Sequence, residues 1–333
     1  MNIATPYLLF LGDAADQLAA KTADGIAYWR RETCVGQLRL PGCKADLRLK
    51  DLTLDEGKAA GAKTLVIGVA NRGGVISAAW QDTLLRALDL GYDLAAGLHN
   101  RLIDVPALAE RARTNGRNLF DVRQPDRDFA VGSGQPRSGK RLLAVGTDCS
   151  VGKMYTTLAL EKELKSRGVK ADFRATGQTG ILIAGSGVSV DAVVADFISG
   201  ATEFLAPANT ADHWDLIEGQ GSLFHASYAG VSLGLLHGAQ AHALVMCTEP
   251  NRPHMRGLPQ TKLPGLRDCI ALNESCAHLT NPAARVIGFA ANTSGMDNAA
   301  AERWLKATED EFGLPAVDPV RTGVAKLADR LLA

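Results

Sequence analysis

The chain carries six cysteines, Cys34, Cys43, Cys149, Cys247, Cys269 and Cys276, yet has no C-x-x-C pair and no Cys/His spacing that would hold zinc. Such cysteines read as the reduced thiols of a cytoplasmic protein. No apolar run exceeds about ten residues, which is too short to cross a bilayer. The first residues, Met1-Asn2-Ile3-Ala4-Thr5-Pro6, lack the charged, then apolar, then small-residue pattern of a secretory signal. Excess charge is absent too, because 36 basic residues meet 36 acidic ones. That balance excludes bulk electrostatics as a route to nucleic acid or to a membrane surface, so neither is expected as a partner. Internal repeats and low-complexity tracts are also missing.

Glycine and aliphatic residues are plentiful instead. A chain of 333 residues with 34 glycines and 46% hydrophobic residues suits an α/β enzyme with many strand-to-helix turns. At this length a single core stops growing, so two domains are expected. Residues 1–123 read as a Rossmann-like domain, with strands over 6–11, 64–70, 92–99 and 118–122. Helical spacing over 76–88 and 106–115 falls between them. Asn71-Arg72-Gly73-Gly74 follows the second of these strands, but it is not a G-x-G-x-x-G fingerprint and gives no support for dinucleotide binding. Residues 124–140, with Pro125 and Pro136 and little apolar periodicity, read as a linker. Residues 141–333 alternate strands (142–145, 169–175, 214–217, 242–247, 285–291 and 314–319) with helices. This predicts a doubly wound parallel sheet of the P-loop NTPase kind.

The sharpest motif opens that second region. A strand ends in Gly146-Thr147-Asp148-Cys149-Ser150-Val151-Gly152-Lys153, and a helix starts with Met154 and Tyr155. Glycines let successive N–H groups converge on an anion, the helix adds the positive end of its dipole, and Lys153 adds a full charge. Residues Gly146 through Tyr155 are therefore the expected cofactor-binding segment. Five residues rather than four separate Gly146 from Gly152, and Met154 stands where a Ser or Thr hydroxyl ordinarily holds Mg²⁺. The loop reads as built to hold phosphates, with no metal expected.

Other candidates lie at strand ends, where ligands sit in doubly wound folds. Trp214-Asp215-Leu216-Ile217 delivers Glu218 into a glycine turn, either as a carboxylate that holds metal or takes a proton or as one that stabilises the turn by capping a helix. Arg174, Thr176 and Gln178 lie at the end of another strand, as contacts to substrate or nucleotide or as an ordinary glycine-rich loop. Arg252, His254 and Arg256 follow a third, and suit an anionic substrate or a solvated loop. His213 and His225 are the other histidines near these motifs.

The phosphate loop resembles that of dethiobiotin synthetase in its five-residue spacing and its Gly-Thr-Asp start, but Met154 replaces the Thr that follows that enzyme's Lys. Over essentially its full length the chain resembles the DgcN-type D-glutamate N-acetyltransferases. Gly146–Thr157, the run Ala175-Thr176-Gly177-Gln178-Thr179-Gly180 and the segment from Ile217 to His225 carry this likeness. The resemblance implies transfer of acetyl from acetyl-CoA to D-glutamate in D-amino-acid catabolism, a small amino acid as substrate and acetyl-CoA as co-substrate. Thioester aminolysis needs a base and donors for an oxyanion. By position, Glu218 is the first choice for that base and His225 the second, while Arg174, Arg252 and Arg256 are candidates for the two substrate carboxylates. A homo-oligomer is expected. Competing expectations are an ATP-dependent ligase or kinase of the dethiobiotin synthetase kind, and a nucleotide-sensing protein without chemistry.

Overall fold

The computed structural model describes residues 1–69, 76–98 and 100–333. Asn71-Arg72-Gly73-Gly74 and His99 therefore lie outside the described residues. By contacts the chain divides into two compact units, Met1–Asp126 with Gly177–Ala192, and Arg127–Thr176 with Val193–Ala333.

In the first unit β1 (Tyr7–Gly12), α1 (Lys21–Trp29), β2 (Cys34–Arg39), α2 (Leu54–Ala59) and β3 (Thr64–Ile67) are followed by α3 (Ala78–Asp89), β4 (Asp93–Ala96), α4 (Pro106–Asn115) and β5 (Leu119–Asp121). The strands form one parallel sheet in the order β2-β1-β3-β4-β5. Every residue of β1 is buried, as a continuous apolar run at the middle of a parallel sheet requires. At Gly12 the chain turns with φ +51° directly beneath the Trp80 ring, where a Cβ would lie 2.7 Å from ring atoms. Helix α2 opens with a capping box: Thr53 accepts from the Glu56 amide and the Glu56 carboxylate accepts from the Thr53 amide.

In the second part of the chain β6 (Lys140–Gly146), α5 (Lys153–Ser166), β7 (Ala171–Arg174), α6 (Gln178–Ala184) and α7 (Ile198–Leu205) come first. They are followed by β8 (Trp214–Ile217), α8 (Ala229–Ala239), β9 (Ala243–Thr248), α9 (Leu266–Ala277), β10 (Arg285–Ala291), α10 (Asn298–Phe312), β11 (Ala316–Val317) and α11 (Ala325–Leu332). The sheet order is β11-β10-β9-β6-β8-β7, all parallel, so the fold is α/β with Rossmann-like and P-loop NTPase-like sheets. Helix α6 groups with the first unit although it lies between strands of the second sheet in sequence.

Strand alternation divides the second unit's core. Leu142 and Ala144 of β6 pack with Val151, Leu160, Leu164 and Val245 on one face. Leu143 and Val145 pack with Ile217, Leu235, Leu236 and Phe289 on the other. Each large aliphatic side chain buried this way contributes about 1.5–3 kcal/mol. Residues read as linker are partly engaged: the Glu203 carboxylate accepts from the Ser133 and Gly134 amides, both at 2.9 Å, and Phe129 packs on Phe204. Strand β2 and helix α1 were not anticipated. Among the described residues no helix is long and apolar enough to cross a membrane.

Candidate phosphate-binding site

Strand β6 lies between β8 and β9, and the loop Gly146–Lys153 leaves its carboxyl end. Ser150 (φ 54°) and Gly152 (φ 100°) both adopt left-handed backbone, the alternation that turns successive amides to one side. Among the described residues the amides of Ser150, Val151 and Gly152 donate to no other group. They are thus uncommitted within the loop that the sequence pattern reads as an anion site.

Lys153, 6% exposed, donates through Nζ to the carbonyls of Asp148 (2.7 Å) and Gly221 (2.8 Å). An ammonium group has three protons, so one donor remains. Burial lowers the Lys153 pKa below its usual value, opposed by the Cys247, Cys149, Asp148 and Glu218 groups around it. Gly219 allows this packing, since a Cβ there would stand 1.6 Å from the Ala144 carbonyl oxygen and 2.9 Å from the Lys153 Cδ.

The residue after Lys153 is Met154, half-buried. The nearest hydroxyls of the helix are committed to its own backbone, Thr156 Oγ1 to the Gly152 carbonyl (3.0 Å) and Thr157 Oγ1 to the Lys153 carbonyl (3.1 Å). Tyr155, also half-buried, lies in the first turn of α5.

Asp148 is fully buried and joins the loop to its neighbours. Its Oδ2 accepts from Arg252 Nη1 (2.6 Å) and the Arg256 amide (2.8 Å), and its Oδ1 accepts from the Cys149 amide (2.6 Å). Burial pushes its pKa up, but the Arg252 guanidinium and the two amides outweigh that and hold it below the ordinary carboxylate value. Arg252 also donates to the carbonyls of Cys149 (2.6 Å) and Ser150 (3.1 Å) and to the Glu249 carboxylate. Its guanidinium is thus committed to the loop. The Arg256 guanidinium, in contrast, is exposed and donates to no group among the described residues.

Glu218, at the end of β8, is 6% exposed. Its Oε2 accepts from the Thr176 amide (2.9 Å) and its carbonyl from Thr176 Oγ1 (2.7 Å). Gln220 Nε2 donates to the same hydroxyl at 3.0 Å. The strand ends bring Glu218, Thr176 and Lys153 together. Arg174 reaches instead to buried Asp215, with contacts of 2.7 and 2.8 Å, at the opposite half of the strands. His213 Nε2 lies 3.3 Å from the same Asp215 carboxylate. Gln178 belongs to the first compact unit, its side chain against Gly97.

His225 is 1% exposed, and both its nitrogens are used. Nδ1 accepts from the Ser227 amide (3.2 Å), which places the proton on Nε2, donating to the Arg256 carbonyl at 3.0 Å. Asp148, Cys149 and His225 present ligand-type atoms within 4.8 Å of one another. The Asp148 oxygens and both His225 nitrogens are already spoken for by the bonds above. Sequence reasoning missed Glu249 and the Gly221 carbonyl; an acid three residues before Arg252 was the available signal for the first.

A central parallel strand, a glycine loop with uncommitted amides, a buried lysine and a helix define this chain as a P-loop protein with a Rossmann-like domain. Family models agree in both parts: "Domain of unknown function (DUF1611_C) P-loop domain" matches residues 129–328, and "Domain of unknown function (DUF1611_N) Rossmann-like domain" matches residues 38–125. The chain belongs to the DUF1611 family. It is 56% identical to a D-glutamate N-acetyltransferase of Tritonibacter scottomollicae over 99% of each chain. To a protein of the same name from a Pseudoalteromonas species it is 49% identical, over 99% of this chain and 100% of that one. A DUF1611 family protein from Anabaena variabilis, known from its crystal structure, superposes with a TM-score of 0.83 at 31% identity, over 99% of each chain.

Proposed function

We propose that this chain is an acyltransferase that moves acetyl from acetyl-CoA to the amino group of D-glutamate, in D-amino-acid catabolism. The observation that carries this reading is the full-length likeness, at 56% and 49% identity, to two proteins named D-glutamate N-acetyltransferase. The geometry is compatible with it. Coenzyme A presents a diphosphate, which suits the uncommitted amides of Ser150, Val151 and Gly152 together with Lys153. Acetyl transfer breaks no phosphoanhydride, so a loop with Met154 in place of a metal-holding hydroxyl loses nothing that this reaction needs.

The amine of the substrate attacks the thioester carbonyl, the C–S bond breaks, and the coenzyme leaves as a thiol. An ammonium group must first lose a proton. Glu218 is assigned that proton, because its buried carboxylate stands at a strand end beside the loop and Oε2 is fixed by the Thr176 amide at 2.9 Å. Arg256 is the arginine of the β9 loop whose guanidinium remains available for a substrate carboxylate. Incubation with acetyl-CoA and a panel of D- and L-amino acids, following free thiol, tests the proposal. Thiol release with D-glutamate well above that with L-glutamate is expected. Release with none of the panel would overturn it.

A further inference from the structure

We propose that Arg252 and Asp148 act as a positioning pair that holds the phosphate loop open to its anion, and that Arg252 does not bind the amino-acid substrate. The inference rests on the reading of the loop as the coenzyme site. A trans peptide points its C=O and the following N–H in opposite directions. Arg252 donates to the carbonyls of Cys149 and Ser150, at 2.6 and 3.1 Å, from outside the loop. Tying back those two carbonyls turns the amides of Ser150 and Val151 the other way, into the loop, where they donate to no protein group among those described.

The backbone needs such a restraint. Ser150 carries a side chain at φ 54°, a conformation that L residues avoid unless their surroundings over-determine it. Arg252 supplies that determination, and Asp148 in turn fixes Arg252. The buried carboxylate accepts from Nη1 at 2.6 Å, and Glu249 holds Nη2. Through the Arg256 amide, 2.8 Å from Asp148 Oδ2, the same carboxylate also sets the base of the exposed Arg256 side chain. One buried charge thus aligns the anion donors and the neighbouring loop, while both terminal nitrogens of its guanidinium partner are engaged by protein groups.

The two roles for Arg252 separate in steady-state kinetics. Arg252→Gln, and independently Asp148→Asn, are expected to raise KM for acetyl-CoA by about ten- to a hundredfold, the scale of one charge-assisted contact. KM for D-glutamate should change less than about twofold in the Arg252→Gln protein. Weaker equilibrium binding of coenzyme A by the same variant is the matching result without turnover. A rise confined to KM for D-glutamate, or an unchanged KM for acetyl-CoA in a folded Arg252→Gln protein, would overturn the proposal. Lys153→Ala separates this from failure of the coenzyme reading. If it raises KM for acetyl-CoA while Arg252→Gln does not, the positioning pair alone is refuted. If Lys153→Ala also leaves it unchanged, the coenzyme lies elsewhere and both readings fall.

Discussion

Arg252 and Arg256 leave the same loop after β9, yet the structure gives them opposite situations. One is drawn under the phosphate loop by Asp148 and two carbonyls, and the other is left exposed. Residue type alone cannot separate them, because an arginine near a strand end serves an anion or a backbone carbonyl equally well. The place of Glu218 at a strand end was legible for a better reason: a largely apolar strand delivers it into a glycine turn, where Gly219 approaches the Ala144 carbonyl too closely for any Cβ. Its test is Glu218→Gln, which keeps size but cannot take a proton. General-base assistance contributes about 10²- to 10⁴-fold, so kcat should fall by that order while coenzyme A binding holds. A carboxylate that only secures the turn would cost at most about 1 kcal/mol of stability on substitution and little turnover. Near-wild-type kcat in a folded Gln protein would remove Glu218 from the mechanism.

At the scale of elements, what was legible followed burial. Strands β3, β4, β6, β8, β9 and β10 are mostly apolar segments, interrupted inside β8 by Asp215, that lead into glycine or polar residues, and their positions follow from that pattern. Strand β2, Cys34-Val35-Gly36-Gln37-Leu38-Arg39, mixes polar and apolar residues because it is an edge strand, and its Gln37 is buried by hydrogen bonds to Asp46 and Asp51. Periodicity carries no such signal. The capping box Thr53-Leu54-Asp55-Glu56 was a readable helix start for α2 that the apolar pattern alone passed over. The turn between β8 and α8 gives an element-scale prediction. Gly219→Ala places a methyl 1.6 Å from a backbone oxygen that cannot yield cheaply. Overpacking of this kind costs about 1–3 kcal/mol, and the displaced lysine stem should raise KM for acetyl-CoA as well. Thermal denaturation with kinetics checks both, and an unchanged melting temperature would mean that the turn moves freely.

For the molecule as a whole, the alternating strand–helix order was enough to reach two parallel α/β sheets, and the motifs were enough to reach the family. The grouping of Gly177–Ala192 with the first unit was not legible, because it depends on which surface a helix meets rather than on the helix's own periodicity. On the proposed function, a phosphate loop of nucleotide-binding design serves acyl transfer rather than phosphoryl transfer. The most direct test is one reaction mixture holding the protein, acetyl-CoA, D-glutamate, ATP and EDTA, in which free thiol, N-acetyl-D-glutamate and ADP are quantified together. Equal amounts of thiol and N-acetyl-D-glutamate with no ADP above the protein-free control are expected. Product that forms only when Mg²⁺ is restored, with ADP released in step with it, would contradict the account and return the loop to ligase or kinase chemistry.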